Sequence, residues 1–332
     1  MRRLIYFAAA VATSACAAVL GLPDRGLDPL DPNEANEAST DWRAAPDDAG
    51  LDSSSSTDSA VDGGACDADI AVDPRNCGRC VHDCLGGTCA AGRCEPYVFS
   101  SSTGPIGVTL DATYVYVGLG NGDIVRKKKS DRDGAAGTLL VTSAEPRYLA
   151  VNPEQTTLFF SRIDNSPSVS SLPVDGGPRV NIGGNLADPR GIVFFGAALF
   201  VVNASTDSVV RLDRTNGTNL DSKTYGSELD GLAADGQHLY IAIPGMGEIR
   251  RTTGLPADEV FDTNDAGVTT LAIDDTDVYM GAPGQVLRRR KDRSAAREKV
   301  ADSPGIVSGI TVDATAIYWA NATSGRIMRL AK

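Results

Sequence analysis

Val108-Thr-Leu-Asp111-Ala-Thr-Tyr-Val-Tyr116, Leu232-Ala-Ala-Asp235-Gly-Gln-His-Leu-Tyr240, Leu271-Ala-Ile-Asp274-Asp-Thr-Asp-Val-Tyr279 and Ile310-Thr-Val-Asp313-Ala-Thr-Ala-Ile-Tyr318 align without a gap. In each, an apolar strand ends at Asp, a short polar turn follows, and a second apolar strand carries Tyr five residues after the Asp. Two worn copies complete the set: Leu149 to Phe160 with Phe159 at the tyrosine position, and Ile192 to Val202 with Phe200 there and Phe195 in place of Asp. The aromatic positions 116, 159, 200, 240, 279 and 318 are spaced by 43, 41, 40, 39 and 39 residues. A period near 40 identifies a repeat architecture.

Working outward, a third strand follows each aromatic, with a β-branched residue two before an Arg: Ile124-x-Arg126, Val209-x-Arg211, Ile249-x-Arg251, Val286-x-Arg288 and Ile327-x-Arg329; the second repeat has Val169-x-Ser171. A fourth strand is expected at 138–142, 179–182, 222–225, 259–262 and 298–301. Four strands in about 40 residues make one propeller blade. The last repeat runs out at Lys332 after three strands, while an unmatched strand-like segment, Tyr97 to Ser100, precedes the first. Pairing the two completes a sixth blade and removes the exposed edges. The predicted fold class is all-β, a six-bladed β-propeller over 96–332; a solenoid of the same period would need end caps and would leave Tyr97 to Ser100 without a role.

The last repeat, Ala316-Ile-Tyr-Trp-Ala-Asn321 followed by Gly325-Arg-Ile-Met-Arg329, resembles the YWTD repeat of lipoprotein-receptor propellers, and the Asp-containing first strands resemble NHL-type repeats. The strict Tyr-Trp-Thr-Asp is absent, since Ala320-Asn321 replaces Thr-Asp. This resemblance implies a six-bladed ring used for extracellular binding.

Composition agrees with many short strands: 35 Gly and 17 Pro in 332 residues, with 42% hydrophobic content. The formal charge of -12 is unevenly spread. Residues 22–76 hold 14 acids against Arg25, Arg43 and Arg75, whereas 96–332 holds 24 Lys plus Arg against 27 Asp plus Glu. The ring itself is nearly neutral, which excludes nucleic acid as a partner.

Arg2 and Arg3 precede an uncharged Ala-rich run to Pro23, the pattern of a secretory signal. Within it Thr13-Ser14-Ala15-Cys16 resembles a bacterial lipobox, implying a signal peptide over 1–15 and a lipid on the Cys16 thiol. Ordinary cleavage near Cys16 and an uncleaved anchor are the competing readings. Residues 16–65 form the lipidated cysteine and an acidic, Ser-rich linker, expected to be disordered because it has almost no apolar area to bury. The expected location is the cell envelope, at the outer membrane or its periplasmic face, with secretion as the alternative and the lipid as the only membrane contact.

Cys66, Cys77, Cys80, Cys84, Cys89 and Cys94 make a module over 66–95. With Cys16 set aside for lipid, an even six remain, which read as three disulfides in an oxidising compartment; the pairing is open among 15 possibilities. The cluster resembles cysteine-rich modules that precede propellers in bacterial surface lipoproteins. Zinc is the competing reading, from the Cys77-x-x-Cys80 spacing and nearby His82.

Propellers bind ligands on the loops that lead into the innermost strands and on those joining second and third strands. The candidate ligand-binding residues are therefore Glu145, Arg147, Tyr148, Asp188, Arg190 and Asp230. Arg147 and Arg190 hold the same place in adjacent repeats and suit a carboxylate or phosphate, unless each only pairs with its own neighbouring acid, Glu145 or Asp188. The function expected is a monomeric binding module for an extracellular protein, peptide or polysaccharide. The alternative is a divalent-metal hydrolase of the gluconolactonase type, with Glu145, Asn152, Asp188 and Asp230 as oxygen ligands. No catalytic motif, metal site or cofactor signature is present in the sequence, and with His82 and His238 the only histidines, histidine-based chemistry in the channel is not expected. The basic runs Arg126 to Lys129 and Arg288 to Lys291 read as solvated strand ends or as contacts to anionic polymer, and Asp111 with its equivalents as acceptors of turn N–H groups.

Overall fold

The computed structural model describes residues 69–332 except 163, 165, 184, 185, 265 and 266. The signal segment, Cys16, the acidic linker and Cys66 lie outside the described residues. Six four-stranded antiparallel sheets follow one another along the chain, joined by turns rich in Gly, Asn and Asp, with no α-helix among the described residues. Their innermost strands are Pro105–Leu110, Pro146–Val151, Pro189–Phe195, Leu232–Ala234, Thr270–Ile273 and Val307–Val312. Each touches the innermost strands on both sides, and the sixth returns to the first, so the blades form a ring. In the sixth blade the outer strand is Tyr97–Ser101, which pairs antiparallel with Arg326–Ala331. The chain thus closes its ring by joining its first propeller strand to its last, as the repeat count requires.

The six apolar cores lie between blades rather than within them. Tyr116, Leu149 and Phe160 fill the first junction; Phe159 and Leu199 the second; Phe200 and Ile241 the third. Tyr240 and Met280, then Tyr279 and Trp319, fill the next two, and Tyr318 meets Phe99 and Val117 at the closing seam. Side chains alternate across a strand, so every member of the aromatic ladder points to the same side of its blade, toward the next one. Full burial of each such side chain contributes about 1.5–3 kcal/mol, which explains why this position is held in all six repeats while the turns drift.

The rest of the repeat builds a clasp on that same side. Oδ1 of Asp111, Asp235, Asp274 and Asp313 accepts turn N–H groups at 2.6–2.9 Å, as expected, and Tyr116 and Tyr279 donate their hydroxyls to Oδ2 of Asp111 and Asp274. In blades one, four and six the third-strand Arg, opposite the aromatic in register, reaches across to the next blade: Arg126 donates to the Val174 carbonyl at 2.7 Å, Arg251 to that of Lys291 and Arg329 to that of Lys129. The Lys side chain three residues after the Arg returns the contact. Lys129 pairs with Asp313, Lys291 with Asp235 and Lys332 with Asp274, at 2.7–2.9 Å. The two basic runs are therefore not free strand ends. Lys127 is buried against Asp133, Arg288 meets Glu298 and Arg289 meets Asp262, so these charges are met within and between blades, while Lys128 is exposed.

The cysteines settle one alternative. Cys77 bonds to Cys89 and Cys84 to Cys94, and Cys80 is disulfide-bonded as well. Oxidised sulfurs are poor zinc ligands, and the ring nitrogens of His82 lie 2.5 Å from the Cys77 carbonyl oxygen and 2.6 Å from that of Lys332. His82 is thus part of the contact between the module and the ring, which Arg132 and Asp83 extend at 3.2 Å.

Candidate functional site

Aligning the six innermost strands places Ile106, Arg147, Arg190, Asp230, Thr269 and Ser308 at one level around the mouth of the channel. The next level is Gly107, Tyr148, Gly191, Gly231, Thr270 and Gly309. Here neighbouring backbones meet. The Gly191 N–H donates to the Asp230 carbonyl at 3.0 Å, and a Cβ on Gly191 would lie 2.4 Å from that oxygen. Gly231 is in the same position against the Thr269 carbonyl, at 2.6 Å. The collar needs glycine because strand edges, not side chains, make its contacts.

Tyr148 is the one large side chain in the collar, and it crosses the channel. Its hydroxyl lies 2.6 Å from Oδ1 of Asp230, two blades away, and 3.1 Å from the Thr269 carbonyl oxygen, three blades away. Burial, then the neighbouring Asp230 carboxylate, push the Tyr148 hydroxyl well above its ordinary pKa. Burial likewise holds the Asp230 carboxyl above the ordinary carboxylate range, outweighing the Tyr148 hydroxyl and the Arg190 and Arg147 guanidiniums.

Charged groups from three successive blades complete this side of the mouth. Arg147 reaches Asp188 at 2.8 Å, and Arg190 reaches Asp188 at 3.2 Å, Glu228 at 2.9 Å and Asp230 at 3.6 Å. Arg190 therefore does pair with its own neighbouring acid, but Arg147 bridges to the next blade instead of to Glu145. Glu145 stands apart, exposed, with its N–H on the Gly122 carbonyl and its carboxylate over Gly122. Glu228 escaped the sequence reading. The signal was its register, since it stands four residues before Leu232 as Asp188 stands before Ile192 and Glu145 before Leu149. The other half of the mouth carries Thr269, Ser308 and Ile106, with Ile306 exposed just before the innermost strand of blade six.

Below the collar, a cavity of about 320 Å³ runs along the axis, lined by consecutive triplets such as Leu149–Val151 and Ile192–Phe194. Consecutive rather than alternate residues line it because each innermost strand presents its unpaired edge to the channel.

The oxygen ligands of the hydrolase alternative do not converge. Asn152 is at the far end of its strand, buried and accepting the Thr156 and Thr157 N–H groups. Asp188 and Asp230 face guanidiniums, which oppose a cation there. Among the described residues the only group of three or more metal-ligating side chains is Cys77, Cys84 and Cys94, whose sulfurs are in disulfides.

These features define a six-bladed β-propeller with a braced, two-sided mouth. No protein-family model matches the chain, and no curated protein matches it. Solved structures do. The chain is similar to virginiamycin B lyase from Staphylococcus aureus (13% identity, TM-score 0.55, covering 72% of this chain and 98% of that one). It is also similar to XC5397, a gluconolactonase from Xanthomonas campestris (17%, 0.58, covering 70% and 87%), and to a chain of a nidogen/laminin complex (17%, 0.53, covering 63% and 85%). At these identities the likeness is one of fold, shared by enzymes and binding proteins alike.

Proposed function

We propose that this protein is a recognition module of the cell envelope, held by a lipid on Cys16 at the end of its acidic linker, whose mouth face binds an extracellular protein, peptide or polysaccharide. The observation that carries this reading is the division of the mouth. Blades two to four present a braced lattice of Arg147, Asp188, Arg190, Glu228 and Asp230, and the opposite half presents uncharged Thr269, Ser308, Ile106 and exposed Ile306. Side chains already paired with one another keep their geometry without a ligand, so a partner meets a preorganised surface. Such lattices contribute specificity and association rate more than raw affinity. The chain in the nidogen/laminin complex is a fold-level precedent for partner binding by this architecture.

The test uses exposed residues, one from each half: Glu228, 59% exposed, whose replacement removes one of Arg190's three acids and leaves Asp188 and Asp230, and Ile306, 58% exposed. Full-length wild type and the Glu228→Lys/Ile306→Asp variant are cross-linked in native envelopes. A partner captured by wild type and lost by the variant, at equal melting temperature, supports the mouth. Equal capture by both puts the binding surface elsewhere. Stoichiometric calcium in equilibrium dialysis, together with lactone turnover, would replace recognition by metal-dependent hydrolysis.

A further inference from the structure

At the junction of blades three and four the molecule departs from its own repeat. Phe195 stands where blades one, four, five and six have the clasp Asp and blade two has Asn152, and Gly254 stands three residues after Arg251, where Lys129, Lys291 and Lys332 stand in blades one, five and six. The strands Glu248–Gly254 and Ala257–Thr263 are joined by Leu255 and Pro256 alone, whereas the same connection spans 129–137 in blade one and 291–297 in blade five. No chain segment from blade four therefore covers the end of blade three. Arg126, Arg251 and Arg329 each donate to a main-chain carbonyl of the following blade, whereas Arg211 turns back to Asp221 of its own blade, at 3.1 Å; Arg288 likewise meets Glu298 of its own blade, but its junction keeps the Lys332–Asp274 clasp that the junction after blade three lacks. Oδ1 of Asp221 has no hydrogen-bond partner.

The space left open is a pocket of about 570 Å³, within the range that holds a ligand group of drug-like size. Phe195 and Phe200 form an aromatic pair on its floor, edge to face at 5.8 Å, with Leu255 packed against the same core. Leu220 is 49% exposed on its wall, and Arg211 and Asp221 are each about four-tenths exposed beside it.

We propose that this pocket binds an extended peptide segment of a partner protein, seating one large apolar side chain on Phe195 and Phe200 while its main-chain carbonyl accepts from Arg211. The occupant follows from the other junctions. At the junctions that follow blades one, four and six the same Arg meets a main-chain carbonyl of a connecting segment, and here that segment is missing while the Arg and an apolar floor remain. With Phe in place of Asp, a lysine is no longer the matching side chain; burial of an aromatic or aliphatic group is. The site is independent of the mouth, since Phe195 is at the end of its innermost strand and Arg190 near the start.

The probe is N-acetyl-L-phenylalanine N-methylamide, titrated into isotope-labelled full-length protein and followed by NMR, with ethylbenzene as the comparison. Saturable shifts at Phe195, Arg211 and Gly254 are expected, with weaker binding of ethylbenzene. Arg211→Met should weaken the amide about tenfold through the lost charge-assisted hydrogen bond while leaving ethylbenzene unchanged. Gly254→Phe should abolish binding by filling the pocket; a Cβ there meets nothing within 4 Å, so the fold is not strained. Absence of shifts at these residues overturns the proposal. So does an amide affinity that Arg211→Met leaves unchanged, which would make the pocket a general hydrophobic site.

Discussion

Replacing Gly191 by Ala probes the collar that sets the mouth. The added Cβ would lie 2.4 Å from the Asp230 carbonyl oxygen and 2.8 Å from the Leu232 nitrogen, where ordinary contact begins at 3.4 Å, so the innermost strands of blades three and four must separate by about 1 Å. Overpacking of this kind costs about 1–3 kcal/mol. The Gly191 N–H to Asp230 bond, 3.0 Å long, weakens with it, adding about 1 kcal/mol. The total, about 2–4 kcal/mol, corresponds to a drop of roughly 4–16 °C in melting temperature for a domain of about this size. The matched control is Gly236→Ala, where a Cβ meets nothing within 4 Å; the Ala there is expected to be neutral or stabilising by up to about 1 kcal/mol, through the unfolded chain. Urea unfolding of both variants against wild type measures the difference. Equal midpoints for the two would refute the close-contact account of the collar.

Acid should loosen the inter-blade clasps first. Burial alone would raise the Asp235, Asp274 and Asp313 carboxyls, but Lys291, Lys332 and Lys129 respectively, with the turn N–H groups, outweigh it and hold all three below the ordinary value of 3.8. A group depressed in the fold contributes stability that is present above its unfolded value and lost as pH falls through the folded one. Urea midpoints should therefore fall below about pH 4, and less steeply in Asp274→Asn; an unchanged acid slope in that variant would show that the clasp does not carry it. Asp230, raised in the fold, works in the opposite direction, favouring the folded state on protonation. For the tether, intact mass of native protein should carry a diacylglycerol-sized addition that Cys16→Ala lacks, and identical soluble products from both would remove the lipid.

What the sequence makes legible is what the ring repeats. Tyr116, Tyr240, Tyr279 and Tyr318 recur because each fills the core between its blade and the next, and packing tolerates little change there. Asp111 and its equivalents read correctly as turn acceptors because their partners are two or three residues away. The clasps were not legible for the opposite reason. Lys129 meets an acid 184 residues along the chain, so its run looks like a solvated strand end until the ring brings the last blade beside the first. The partner of Arg147 is hidden in the same way, since its nearest acid in sequence, Glu145, is displaced over Gly122 while Asp188, 41 residues on, faces it across the junction. The pocket beside Phe195 was visible only as a worn repeat; that a shortened connection in blade four also uncovers it depends on two blades meeting.

The central claim is a six-bladed ring whose first strand closes its last blade. Phe99 on that strand is fully buried, packs edge to face on Tyr318 at 5.3 Å, and lies under the cations of Lys127 and Arg329. Phe99→Ala should destabilise the entire propeller by about 3–5 kcal/mol, the cost of such a truncation in a packed core, and the loss should appear as a single cooperative shift in urea unfolding. A change below about 1 kcal/mol, or unfolding of residues 97–101 without the ring, would contradict closure by this strand.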